Sequence, residues 1–225
     1  MIAAGSVDLG VFDCDGVLIN SEEIACAVCV EALATLDMRM TMREFAGRHA
    51  GMPISDSWRL IEKNYGKPLP EGFRDGVDKE VYRRFAEALA PMDGASDLLA
   101  NLKSARCVAS STGLARLTQN LRQVGLVQFF EPSIFSVSQV KRGKPAPDVF
   151  LFAASQMGAD PAHCLVVEDS AHGVVAACRA GMRVIGFAGG GHTPPDHADK
   201  LTASGALGVA HSMAELAPML ELAGR

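Results

Sequence analysis

The sequence predicts an α/β fold with a parallel sheet interrupted by an all-helical insertion, on three observations. Short apolar runs ending in polar residues and glycine recur along the chain, helical stretches separate them, and the region from about Ser21 to Ala90 carries helical patterns alone. Apolar runs that do not alternate with polar residues read as strands buried on both faces, which is the habit of parallel sheets. The composition agrees with a packed domain: 48% of the 225 residues are hydrophobic and 21% charged, and a chain of this length buries roughly 70% of its unfolded surface.

The first run is "VDLGVF". The helical region follows, with breaks expected near Asp37, Gly51 to Pro53 and Gly66 to Pro70, and Pro91 to Gly94 marks the return to strand–helix alternation. Then come "RCVASS", a helix over Leu114 to Val124, "SIFSVS", and a helix over Pro147 to Met157 ended by Gly158. The strand "HCLVVED" precedes a helix over Ala171 to Ala180, capped by Ser170 and ended by Gly181, and "RVIGFAGG" completes the series. Residues 1–18 and 91–225 are therefore expected to form one α/β domain, and residues 19–90 a helical one inserted after the first strand.

Composition also excludes classes of function. Twenty-one Lys and Arg against 26 Asp and Glu give a net charge of −5, without the basic excess that phosphate-backbone or anionic-membrane binding requires. No apolar run approaches the ~18 residues of a membrane span, and no basic segment precedes the apolar stretch of "MIAAGSVDLGVF". Six cysteines are too sparse for a disulfide scaffold. The expectation is a cytoplasmic monomer with reduced thiols, a small-molecule ligand, and neither nucleic acid nor membrane as partner. Cys26 and Cys29 form a CxxC, but they lie in the helical "SEEIACAVCVEALATL" with no second pair or histidine nearby to complete a zinc site, and read as buried thiols.

In an open parallel sheet, ligands bind beyond the carboxyl ends of the strands. Here those ends are acidic. "FDCDGVL" places Asp13 and Asp15 at i and i+2 on one side of a strand end, with Gly16 permitting a tight exit, and "VVEDS" brings Glu168 and Asp169. Four carboxylates converging on one crevice would repel one another unless a cation neutralised them, and hard oxygen donors suit Mg²⁺. Taken singly, these acids would be solvated loop residues or helix caps. Two further strand ends favour a site: "VASST" sets Ser110, Ser111 and Thr112 before a helix, where hydroxyls and amides hold phosphate oxygens, and "RGKPAPD" sets Lys144 before another.

Taken in order, "FDCDGVL", "VASS", "GKPAPD" and "VVEDS" resemble the four motifs of the haloacid dehalogenase-like superfamily, in its phosphatase and phosphomutase branch with a helical cap. The resemblance spans nearly the whole chain. It implies a Rossmann-like core with a mobile four-helix cap, and a Mg²⁺-dependent reaction in which Asp13 is the nucleophile and forms an aspartyl-phosphate. It implies that Asp15 is the general acid and base, its backbone carbonyl also ligating the metal, that Ser110 binds the transferring phosphoryl group, that Lys144 is the motif cation, and that Asp169 is a metal ligand helped by Glu168.

Asp15 favours phosphoryl transfer over dehalogenation, whose members lack a carboxylate there. The early cap offers no lysine before Lys63 for a phosphonatase-like Schiff base, and Ala25 stands where the β-phosphoglucomutase-like members carry a histidine. The cap loop that governs substrate choice in the family corresponds to "FAGRHAGMP", so Arg48 and His49 are the expected substrate-binding residues beside Ser110, Ser111 and Lys144. Trp58 reads as cap core, and His192 and His197 as structural or exposed. The expected activity is hydrolysis of a small sugar phosphate or sugar-acid phosphate. The alternatives are a hexose-phosphate mutase and a catalytically idle metal-binding regulator, against which the intact Asp13, Asp15 and Lys144 argue.

Overall fold

The computed structural model describes residues 7–49 and 54–223. In chain order the elements are β1 (Leu9–Phe12), α1 (Ser21–Ala34), α2 (Met42–His49), α3 (Ile54–Tyr65), α4 (Phe73–Ala88), α5 (Ala95–Asn101), β2 (Ala105–Ser110), α6 (Leu114–Gln123) and β3 (Ile134–Ser136). They continue with α7 (Asp148–Met157), β4 (Cys164–Glu168), α8 (Ala171–Arg179), β5 (Arg183–Phe187), α9 (His197–Ala203), β6 (Val209–Ala210) and α10 (Met213–Ala223). The six strands form one sheet in the order β3-β2-β1-β4-β5-β6, parallel throughout.

β1 and β4 are buried along their whole length. The pleat sends their alternate residues to opposite faces. Phe12, Leu165 and Val167 join one cluster with Leu99, Leu117, Leu121 and Leu216 from α5, α6 and α10, while Leu9, Val11, Cys164 and Val166 join another with Phe150, Ala153 and Val174 from α7 and α8. Helices thus cover both faces of the sheet, which is why its strands lack polar alternation.

Helices α1 to α4 are the expected insertion, with a cluster of their own around Leu33, Phe45, Trp58, Ile61 and Val77. Trp58 is buried there, edge-on to Phe73. Cys26 and Cys29 belong to the same cluster, and all six cysteines are free thiols. The segment leaves and rejoins the sheet domain at one place. Asn20 N donates to Ala90 O at 3.1 Å, Met92 N donates to Leu18 O at 2.8 Å, and the Asn20 side chain accepts from Ala90 N at 2.9 Å, so the outgoing and returning chains run side by side.

The structure departs from the sequence reading at α2 and at β6. Phe45 to His49, expected in a loop, complete α2, because the polar spacing around Phe45 and Ala46 buries one helical face. The strand β6 was not expected; two residues carry too little pattern to be read. The break expected at Gly51 to Pro53 lies outside the described residues. The turn after α1 falls at Asp37, which takes the left-handed φ of 60° that a short polar side chain tolerates best.

Candidate active site

β1 and β4 are neighbours, and the strand order reverses between them, so the crevice expected at such a reversal opens beyond Phe12 and Glu168. Asp13 N extends the ladder by donating to Val167 O at 2.9 Å, which fixes the Asp13 side chain relative to β4. The chain must then turn at once. Gly16 does this at a φ of +75°, where a Cβ would lie 2.1 Å from Asp169 Oδ2. On the other side, a Cβ on Gly173 would lie 2.0 Å from the Glu168 carboxyl carbon. Both glycines are demanded by the packing of acidic side chains against backbone.

Lys144 is 5% exposed at its side chain, with Nζ 2.9 Å from Asp13 Oδ1 and 2.7 Å from Glu168 Oε2. The other Glu168 oxygen accepts from Ser170 Oγ at 2.8 Å and Ser170 N at 3.2 Å. The Ser170 hydroxyl also caps α8 by accepting from Gly173 N. Asp15 takes a different course. Its carboxylate accepts from Ser21 Oγ at 2.7 Å, Thr112 Oγ1 at 2.7 Å and Ser110 Oγ at 3.2 Å.

The expectation of four converging carboxylates is corrected to three. Oxygens of Asp13, Glu168 and Asp169 lie within 4.8 Å of one another, while the Asp15 side chain is drawn to the hydroxyls of α1 and of the turn after β2. Asp13, Asp15, Glu168 and Asp169 all line one cavity of about 640 Å³, together with Ser111, Thr112 and Lys144. Ser110 is fully buried behind them and accepts from Thr112 N.

Electrostatics mark the acidic group as short of positive charge. Burial, then the Glu168 charge, pushes the Asp13 carboxyl up to about 8 despite Lys144, and burial with Glu168 and Asp13 raises Asp169 well above the carboxylate range. Burial pulls the Lys144 ammonium down, but Asp13 and Glu168 outweigh it and hold the group above its ordinary value. Two buried carboxylates and a half-buried third gather beside a single lysine, so a divalent cation with a preference for oxygen donors fits the remaining charge.

The far side of the cavity comes from the helical insertion: Ala25, Cys26 and Cys29 of α1, Phe45 and His49 of α2, Ser57 of α3, and Tyr82 and Phe85 of α4. His49 is buried, stacks on Phe45 with ring centroids 4.5 Å apart, and meets Ser57 Oγ through Nδ1 at 2.9 Å. Arg48 is exposed and outside the lining, because on a helix adjacent residues point about 100° apart. Of the two α2 residues expected to bind substrate, His49 thus lines the cavity and Arg48 does not.

Several lining residues carried no signal in the sequence. Glu22, in the first turn of α1, is pushed up to about 7 by burial and by Asp15. His172 and Arg116 also line the cavity. His192 is buried against Gly190 and reaches the lining, with its proton affinity lowered to about 4 chiefly by burial, while His197 Nε2 lies 2.6 Å from Asp169 O.

A family profile described as haloacid dehalogenase-like hydrolase matches residues 7–181. The 6-phosphogluconate phosphatase of Escherichia coli (strain K12) is 27% identical over 192 residues, 85% of this chain and 87% of that protein. A phosphorylated carbohydrates phosphatase of Thermotoga maritima is 32% identical over 183 residues, 78% of this chain and 82% of that protein. Among solved structures, a conserved haloacid dehalogenase-like protein of unknown function from Agrobacterium tumefaciens str. C58 superposes with a TM-score of 0.92 at 38% identity, covering 96% of this chain and 98% of that one.

Proposed function

Because this chain belongs to the haloacid dehalogenase-like hydrolase family, we propose that it is a Mg²⁺-dependent phosphomonoester hydrolase acting on a small sugar phosphate or sugar-acid phosphate. The observation that carries this reading is the clamp of Lys144 between Asp13 and Glu168 in a cavity that also holds Asp15. An Asp13 oxygen attacks phosphorus, the bond from phosphorus to the substrate oxygen breaks, and the Asp15 carboxyl gives that oxygen its proton. Water then attacks the aspartyl-phosphate, Asp15 takes the proton back, and inorganic phosphate leaves with the Asp13 carboxylate restored. Lys144 holds the Asp13 carboxylate at 2.9 Å and balances charge as the phosphate arrives. The hydroxyls of Ser110 and Thr112 steady Asp15 when it is ionised. Ser111, in the turn before α6, offers its hydroxyl and amide to phosphate oxygens. Asp13, Asp169, Glu168 and the Asp15 backbone carbonyl would hold Mg²⁺, which would supply the positive charge that an anionic nucleophile needs to approach an anionic ester.

The choice of water as acceptor is supported by Ala25, which faces the cavity with a methyl group where a mutase would need a proton-transfer side chain. Helices α1 to α4 act in this reading as the cap over the site, residues 19–90 moving against residues 1–18 and 91–225. The names of the relatives support the substrate class, since those proteins are phosphatases of 6-phosphogluconate and of phosphorylated carbohydrates.

The test is phosphate release from a panel of phosphorylated sugars and sugar acids with Mg²⁺, for the wild type and Asp13→Asn. The variant is expected to keep its fold by circular dichroism and to lose at least about a thousandfold in turnover. Retention of more than a few percent would remove Asp13 from the nucleophile's role. With β-glucose 1-phosphate and a trace of the 1,6-bisphosphate, glucose 6-phosphate outpacing phosphate by roughly tenfold would replace the hydrolase with a mutase.

A further inference from the structure

Among the described residues that line the cavity, only Lys144 and Arg116 carry permanent positive charge. Lys144 is taken by Asp13 and Glu168. Arg116, half-buried in the first turn of α6, makes no ion pair with any described carboxylate, unlike Arg83, Arg84, Arg122 and Arg142, which each hold one. Its guanidinium lies over the Tyr82 ring at 4.0 Å from the centroid. Such stacking occupies the flat face of the group and leaves its edge of N–H donors free for a planar anion.

One helical turn further on, at i+4 and hence on the same face of α6, stands Asn120. Its residue is 3% exposed, it lines the cavity, and its carboxamide has no hydrogen-bond partner among the described residues. Its polar atoms are not sealed in but reach the cavity, where a ligand can take the place of water as their partner. Arg116 and Asn120 therefore present a cation and an unused amide side by side, opposite Tyr82 and Phe85 of α4. This is a second polar subsite, separate from the carboxylate group.

We propose that Arg116 and Asn120 bind a second anionic group of the substrate, a carboxylate or a second phosphate, remote from the phosphoryl group that is transferred. The proposal rests on the phosphatase reading and narrows it to esters with charge at both ends. Arg116 selects such substrates by charge and Asn120 by the hydrogen bond it otherwise lacks. Tyr82 holds the guanidinium plane and so ties the subsite to the helical insertion.

The test measures equilibrium binding by calorimetry in the Asp13→Asn protein with Mg²⁺, using 6-phosphogluconate, glucitol 6-phosphate and glucitol 1,6-bisphosphate. The first two differ only in a carboxylate replacing a neutral CH₂OH, and the third replaces it by phosphate. We expect one of the dianion-ended probes to bind at least about tenfold more tightly than glucitol 6-phosphate, the size of one charge-assisted hydrogen bond. Which one it is identifies the second anion. Adding Arg116→Ala, or Arg116→Gln where the truncation disturbs folding, should bring the preference below about threefold and leave glucitol 6-phosphate affinity within twofold; Asn120→Leu should lower it in part. Tyr82→Phe should preserve it. Equal affinity for charged and neutral probes, a preference that survives both Arg116 variants, or no binding of any probe overturns the proposal. The two readings fail separately: phosphate release by the wild type upholds the reaction where no charge preference exists, and a charge preference in the Asp13→Asn protein upholds the subsite where no phosphate is released.

Discussion

At the strand ends of the cavity, Lys144 is fixed between two carboxylates and Asp15 among three hydroxyls, whereas where α6 faces α4 of the helical insertion, Asn120 makes no side-chain hydrogen bond among the described residues and Arg116 meets Tyr82 through its ring. The first set is positioned by the ladder itself, since Asp13 and Glu168 end or extend paired strands. The second depends on how helices lean on one another. In the proposed reading, the groups that act on the phosphoryl unit are preorganised before anything binds, while those that read the rest of the molecule gain their partners only when it does.

The sharpest way to break this contrast is Lys144→Met. It leaves Asp13, Glu168 and Asp169 without a cation in a buried site, and should cost about 3–5 kcal/mol of stability without Mg²⁺, as for any buried pair stripped of one partner. Urea titration with and without Mg²⁺ checks it. Mg²⁺ should recover part of the loss, and an equal loss in both conditions would mean that these carboxylates hold no metal.

The pH dependence sharpens it further, because two buried groups of the cavity, Asp13 and His192, titrate with opposite sign. Asp13, raised to about 8, binds its proton more tightly in the fold than in the unfolded chain, so its contribution is complete below the ordinary carboxylate value and is lost as pH rises toward 8. His192, lowered to about 4, contributes fully above its ordinary value of 6.5 and loses that contribution as pH falls to 4, a change of about 3 kcal/mol. Between pH 4 and 6.5 these two trends oppose each other, and Asp169 and Glu22, raised like Asp13, add to the loss, so metal-free stability should fall from pH 4 to 8, more slowly below 6.5 than above it. His192→Gln should steepen the fall below pH 6.5, and Mg²⁺ should reduce the fall throughout. A profile unchanged by His192→Gln would return that histidine to an ordinary environment.

The smallest expected effect belongs to Arg48→Ala, which should leave KM within about twofold and stability within about 0.5 kcal/mol, as for other exposed changes. A larger shift in KM would bring Arg48 into the site and overturn the orientation of α2.

What could be read in advance follows the same division. Strands β1, β2, β4 and β5 announce themselves as apolar runs, and their ends name Asp13, Asp15, Ser110, Glu168 and Asp169 because strand ends are where such a sheet binds ligands. The carboxylate that turns aside, Asp15, could not be told from the three that gather, since the choice depends on Ser21 and Thr112 arriving from other elements. Nor could His49 be preferred to Arg48. The turn that decides between them is helical in the fold and was expected to be a loop. Arg116 and Asn120 differ from any other polar pair on an amphipathic helix only through what α4 places opposite them.

The paired backbone at Asn20 and Ala90, with Leu18 and Met92 beside it, closes the insertion like the neck of a loop. Closure entropy grows only with the logarithm of loop length, about 0.6 kcal/mol for each doubling. The sheet domain therefore feels little difference between a short segment and a long one threaded through that neck. Its carboxylates and lysine can stay in register while everything hung between the two chains is exchanged, so the wall opposite them can be rewritten in one contiguous stretch of sequence without refolding the rest.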